Sequence, residues 1–132
     1  MILSFIWPEF EYLIKNGIKR FTIREDKHNR WRTGMKIHFW MGSPRNPSKK
    51  PYSFGEGICS QVDHCLLSPG KNFVKIYSNK SASDFMLLNN SELLDEFAVE
   101  DGFKNWEHLK EWFDEDFEGR IIRWEPSRCV FY

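Results

Sequence analysis

The stretch GIKRFTIRE, Gly17 to Glu25, sets Lys19, Arg20 and Arg24 around the hydroxyl of Thr22. A threonine hydroxyl attacks a carbonyl once a base takes its proton, and a neighbouring amine is one such base. A guanidinium such as that of Arg24 presents a planar fork suited to phosphate or carboxylate. The same spacing also fits a surface lysine followed by a β-branched strand residue. In that case Arg24 pairs with Glu25, Asp26 or an acid from the second half of the chain. Trp31 lies between Arg30 and Arg32. Its ring could stack on a base while the cations meet phosphates, or it could sit in a core with its arginines in solvent. Lys36, Trp40 and Arg45 complete the ligand-binding candidates. Asp101, in EDGF, either ends a helix, DG being a capping signal, or projects into a cleft as an acceptor or acid–base group.

Other chemistries find less support. The three cysteines, Cys59, Cys65 and Cys129, form no Cys-x-x-Cys pair, so neither a disulfide framework nor a zinc site is indicated. His64 beside Cys65 has no partner pair at metal-ligand spacing. The histidines at 28, 38, 64 and 108 give no clear general-base pair. No metal and no cofactor is expected. The start, MILSFIWPEF, lacks the basic n-region and long apolar run of a signal peptide. No run reaches the ~18 apolar residues of a membrane span. A reducing, cytoplasmic setting without a membrane partner is the expectation.

The 132 residues suit one domain over 1–132. Aromatics make up 17%, with 12 Phe and 6 Trp, which serves a dense core or stacking platforms. Net charge is zero but unevenly spread. Residues 1–60 carry 11 Lys/Arg against 5 Asp/Glu, +6 net, and residues 61–132 carry 8 against 14, −6 net. Either one basic surface meets an anion, or the halves interleave and neutralise each other.

These residues must be held by a mixed set of elements. ILSFIW reads as a strand. PEFEYLIKNG reads as a helix, with Pro8 in its first turn, Glu9 and Glu11 at its positive end and Gly17 at its stop. Phe10, Leu13 and Ile14 form its buried stripe. In KRFTIRE, Phe21 and Ile23 face one way and Arg20, Thr22 and Arg24 the other. MKIHFWMG is the next strand, and SPRNPSKKPYS, with three prolines, is a loop. FGEGICSQVDHCLL and NFVKIYS resume strand character, while residues 79–90 fit no single element. SELLDEFAVEDG predicts a helix with Ser91 at its N-cap and Leu93, Leu94 and Phe97 inward. NWEHLKEWFDEDF predicts another, with Trp106, Leu109, Trp112 and Phe113 on one face. GRIIRWE is a late strand, extended or followed by CVFY, and a neighbour of the first strand. The acidic KEWFDEDFEG could present a face to a basic protein partner or simply be solvated.

Taken together, the pattern resembles the ASCH domain family of the PUA-like superfamily. FIWPEFEYLIKNGIKRFTIRE is similar to that family's opening helix, Gly, Lys and Thr-Ile-Arg strand. NRWRTGMKIHFWMGSPRNPSKK and FGEGICSQV resemble the strands that follow. LLDEFAVEDGFKNWEHLKEWF looks like its acidic Asp-Gly-Phe segment and next helix, and GRIIRW like its closing strand. The resemblance implies an α+β fold: a small PUA-like β-barrel of about five to six mostly antiparallel strands, flanked by helices. It also implies RNA- or modified-nucleotide binding in a basic cleft beside the Thr-Ile-Arg strand. Some members are amidohydrolases that deacetylate N4-acetylcytidine; their catalytic Lys, Thr and Glu match Lys19, Thr22 and, with a shorter side chain, Asp101. A carboxyl misplaced by about 1 Å can cost ~100-fold in rate. The FWMGSPRNPSKKPYS insertion is closer to ASCH proteins of phage and prophage. Other members are described as RNA-binding or as ribonucleases, and a ribonuclease here would be metal-independent.

Overall fold

The computed structural model describes residues 1–78 and 84–132. Residues 79–83 of the unassigned 79–90 stretch lie outside the described residues. Strand β1 (Ile2–Phe5) leads into helix α1 (Pro8–Lys15), which buries Phe10 and Ile14. Leu13 is only partly buried against the core. Gly17, at φ +72°, ends the helix turn in a left-handed conformation that glycine adopts without strain. Strand β2 (Phe21–Arg24) follows.

β3 (Lys36–Met41) joins through a proline-rich loop to β4 (Tyr52–Ser68), a single 17-residue strand. β5 (Phe73–Tyr77) and the short β6 (Met86–Leu88) come next. Helices α2 (Ser91–Glu100) and α3 (Trp106–Trp112) precede β7 (Phe117–Trp124) and β8 (Val130–Phe131).

β4 organises the sheet. Its first half pairs antiparallel with β3 and β8, and its second half with β7 and β5. β1 adds to β3 in parallel, β2 to β7 and β6 to β5, both antiparallel. The result is one mixed eight-stranded sheet.

The sheet does not close, which corrects the expected five- to six-stranded barrel; the α+β class is kept. Among the described residues β1 pairs only with β3 and β2 only with β7. Between those two edges side chains take the place of a backbone ladder: Arg24 Nη2 donates to the Ser4 carbonyl at 2.8 Å. The first strand is also no neighbour of the late GRIIRWE strand, since β7 pairs with β2 and β4, nor of β8, which pairs with β4. A pocket lined by Ser4 and Phe5 of β1, Thr22 and Arg24 of β2, and the buried Lys19 and Asp101 stands where another strand pairing would have to run.

The core runs along both halves of the sheet, through Phe21, Phe39, Phe54, Leu67, Ile121 and Ile122, and under the helices through Leu94, Phe97 and Leu109. Burying side chains of this size stabilises by about 1.5–3 kcal/mol each before the entropy cost of ordering them. Three helix details differ from the sequence reading. The N-cap of α2 is Asn90, whose side chain accepts from Leu93 N–H at 2.9 Å, and not Ser91. Leu93 stays 36% exposed, so the inward stripe is Leu94, Phe97 and Ala98. α3 ends at Trp112, which leaves that ring 44% exposed beside the buried Trp106 and Leu109. Among the described residues no helix is long and apolar enough to cross a membrane.

Candidate functional site at the open edge of the sheet

Lys19 stands where α1 turns into β2. Its backbone N–H still bonds back to the Leu13 carbonyl at 3.0 Å, while Arg20 N–H already reaches the Glu100 carbonyl at 2.8 Å. The end of α2 is thereby fastened beside the start of β2. That end is a Schellman turn: Phe103 N–H bonds to Ala98 O at 2.9 Å and Gly102 N–H to Val99 O at 3.0 Å. Gly102 takes φ +96°. A Cβ there would lie 2.8 Å from Phe10 and 3.0 Å from the Lys19 stem, so glycine lets the lysine pass. Capping and projection into a cleft, alternatives at the level of sequence, are met by the same Asp101.

Lys19 Nζ donates to Asp101 Oδ1 at 2.8 Å and also to the Asp101 carbonyl. The side chains are 2% and 4% exposed. Burial pulls the Lys19 ammonium below its ordinary range, and Asp101 partly restores it. Burial likewise pushes the Asp101 carboxyl up, opposed by Lys19 and then Arg24. Desolvation thus narrows the gap in proton affinity between the two partners, as in sites that move protons near neutral pH.

Thr22 and Arg24 are two residues apart on β2 and line the same pocket as the pair. The Thr22 hydroxyl makes no side-chain hydrogen bond among the described residues. Arg24 lies over the Phe5 ring, 5.1 Å from its centre. Of the cations in GIKRFTIRE, Arg20 alone stays outside, exposed and bonded to the Gly17 carbonyl.

The pocket measures about 430 Å³ and opens between β1 and β2. Its walls are aromatic: Phe10 and Phe103, edge to face at 6.0 Å, line it with Phe5, Trp112, Phe113 and Phe117. The last three come from the acidic KEWFDEDFEG tract, which supplies pocket wall as well as solvated acids. The sequence signal there is the spacing of Trp112, Phe113 and Phe117, which suits a pocket wall as well as a helix face. A larger groove of about 860 Å³, lined by Trp7, Tyr12, Val99 and His108, holds no buried ionisable side chain.

The remaining candidates fall elsewhere. Trp31 is 5% exposed and belongs to the core, its backbone N–H held by Asp26. Lys36 pairs with Glu56 at 3.1 Å. Trp40 is half-buried on β3 and Arg45 is exposed in the β3–β4 loop, both away from the pocket. The charge halves do interleave in part, through Lys19–Asp101 and Arg120–Asp26. Among the described residues no group of three or more His, Cys, Asp and Glu is placed to hold a metal. No family model, no curated protein and no solved structure matches this chain.

Proposed function

We propose that this pocket binds a modified nucleoside of the N4-acylcytidine type and hydrolyses its acyl amide. The observation that carries the reading is the buried Lys19–Asp101 pair in one pocket with the unbonded Thr22 hydroxyl. The resemblance to ASCH-type amidohydrolases supports it, and the shorter carboxylate still reaches the lysine at 2.8 Å. The volume lies in the range of small-ligand sites, roughly 300–1,000 Å³. Flat aromatic walls suit a pyrimidine ring. A single nucleoside fits this geometry better than an RNA strand, because Lys36 and Arg45, which would track a backbone, stand outside the pocket.

In this mechanism Asp101 takes a proton from Lys19, a transfer made cheaper by the opposed shifts of the two groups. The freed amine accepts the Thr22 proton as Oγ1 attacks the acyl carbonyl. Lys19 returns that proton to the departing cytosine amino group as the amide bond breaks. Water then gives a proton to the same amine and attacks the acyl-threonine ester. Lys19 passes that proton to Thr22 Oγ1 as the ester C–O bond breaks and the carboxylic acid leaves, and Asp101 returns its proton to Lys19. The net change is amide plus water to amine plus acid.

The test is turnover of N4-acetylcytidine, followed by chromatography, for wild type and Thr22→Val. The valine keeps the shape and removes the hydroxyl, and hydrolysis should fall to background. Hydrolysis that persists excludes Thr22 as nucleophile. A folded wild type that leaves the substrate intact removes the catalytic step.

A further inference from the structure

The charges of the pocket do not balance. Lys19 and Asp101 neutralise each other. Glu25, the other acid lining the pocket, is 59% exposed and lies 3.6 Å from Lys27. Arg24 is left. Among the described residues its guanidinium has no ion pair; it holds one carbonyl, Ser4 O, and the face of Phe5. Its Nε is fully buried without a hydrogen-bond partner, although buried donors are nearly always satisfied. The one buried carboxylate near it, Asp101, already accepts from Lys19 and is shared between the two cations, and a partly buried cation without an ion pair of its own is costly to keep. A protein that places one against a pocket, two residues along β2 from Thr22, has a use for it.

We propose that the ligand of this pocket carries an anionic group that docks on the Arg24 guanidinium. The inference deepens the nucleoside reading by narrowing its substrate class. The anion is either a phosphate, making the ligand a mononucleotide, or a carboxylate borne by the acyl chain. Both present two oxygens to a planar fork. The site accepts one such group, since two cations, Lys19 and Arg24, share the one buried carboxylate of Asp101. The aromatic walls are neutral and offer nothing else to a charge.

The experiment uses small anions, so it does not depend on the nucleoside reading. The thermal midpoint of the full chain is measured against inorganic phosphate and, separately, acetate, at constant ionic strength, for wild type, Arg24→Gln and Arg24→Lys. Wild type should be stabilised in a saturable way. Arg24→Gln should weaken the affinity about 10- to 100-fold, the worth of a hydrogen bond to a charged group. Arg24→Lys should retain part of it. Stronger binding of phosphate assigns a nucleotide, and stronger binding of acetate a carboxylated acyl group. If neither anion stabilises wild type, or Arg24→Gln binds them equally well, the proposal is overturned. Cytidine and cytidine 5′-monophosphate, measured in the same way, separate the two ideas: tight cytidine binding without anion binding would keep the nucleoside reading and remove this one.

Discussion

Removing one partner of the Lys19–Asp101 pair should hurt far more than its solvent-exposed counterparts would suggest, and the two removals should not add. At 2.8 Å the pair attracts by about 6 kcal/mol at an effective dielectric near 20. That attraction is offset by several kcal/mol of desolvation for each ion. The pair therefore contributes little net stability while intact, but a lone buried charge keeps the desolvation cost. Lys19→Met should cost about 3–5 kcal/mol. At roughly 3–5 °C per kcal/mol for a chain of this length, that is a fall of about 10–20 °C in Tm. Asp101→Asn should cost more, because it leaves two cations, Lys19 and Arg24, facing each other with no carboxylate. The double variant should be no worse than Asp101→Asn alone. The pH dependence differs in sign between the singles. In Lys19→Met the folded Asp101 holds a proton above its ordinary 3.8, so the folded state binds more protons and stability falls as pH rises through that window. The deficit should shrink toward pH 5. In Asp101→Asn the folded Lys19 sheds its proton below its ordinary 10.5, so the unfolded state binds more protons and stability rises with pH. Its deficit should shrink toward pH 9. Denaturant melts of the four proteins at three pH values read all of this. Additive losses, or deficits flat in pH, would refute the reasoning.

Gly102→Ala places a Cβ at φ +96°, 2.8 Å from Phe10 and 3.0 Å from the Lys19 stem. It should destabilise by about 2 kcal/mol through strain and displacement, and any hydrolytic activity should fall further than that of an equally destabilised core variant. Cys65 is fully buried, and burial followed by the Asp101 carboxylate pushes its thiol up to about 12. A thiolate-specific reagent at pH 7.5 should leave it unlabelled in the native protein and label it at the rate of unfolding; rapid native labelling would contradict the burial of that strand.

The turns that flank the pocket were more legible in the sequence than the sheet. Gly17 and the DG of Asp101–Gly102 are local signals, since each needs a left-handed backbone that few residues tolerate. They fixed where Lys19 and Asp101 leave their helices, 82 residues apart. Alternation on β2 put Thr22 and Arg24 on one face, as observed. Burial was harder to read: Trp31 and Trp40 carry the same composition whether they stack on a base or fill a core. Lys36 could not be placed because its partner, Glu56, comes from a neighbouring strand. Closure of the sheet was beyond reach, because whether β1 meets β2 depends on side chains that occupy the gap and not on either strand alone. β4 was legible almost whole, since FGEGICSQVDHCLL covers residues 54–67 of the strand Tyr52–Ser68; its start was hidden because Tyr52 and Ser53 fall in the proline-rich stretch SPRNPSKKPYS.

The reach of β4 also governs how the chain can acquire its structure. Made from Tyr52 to Ser68, it meets β3 and β5 while they are close in sequence, but its seam with β7 joins residues such as Cys59 and Trp124, more than sixty positions apart. Contacts of that separation form late and slow the folding of β-rich chains. Until residues 117–124 are synthesised, one edge of the longest strand stays unpaired, with Val62 and Leu66 along it. Such edges template aggregation. The acids of residues 114–118, which precede and enter β7, therefore sit where they can keep the late-arriving strand soluble before it docks.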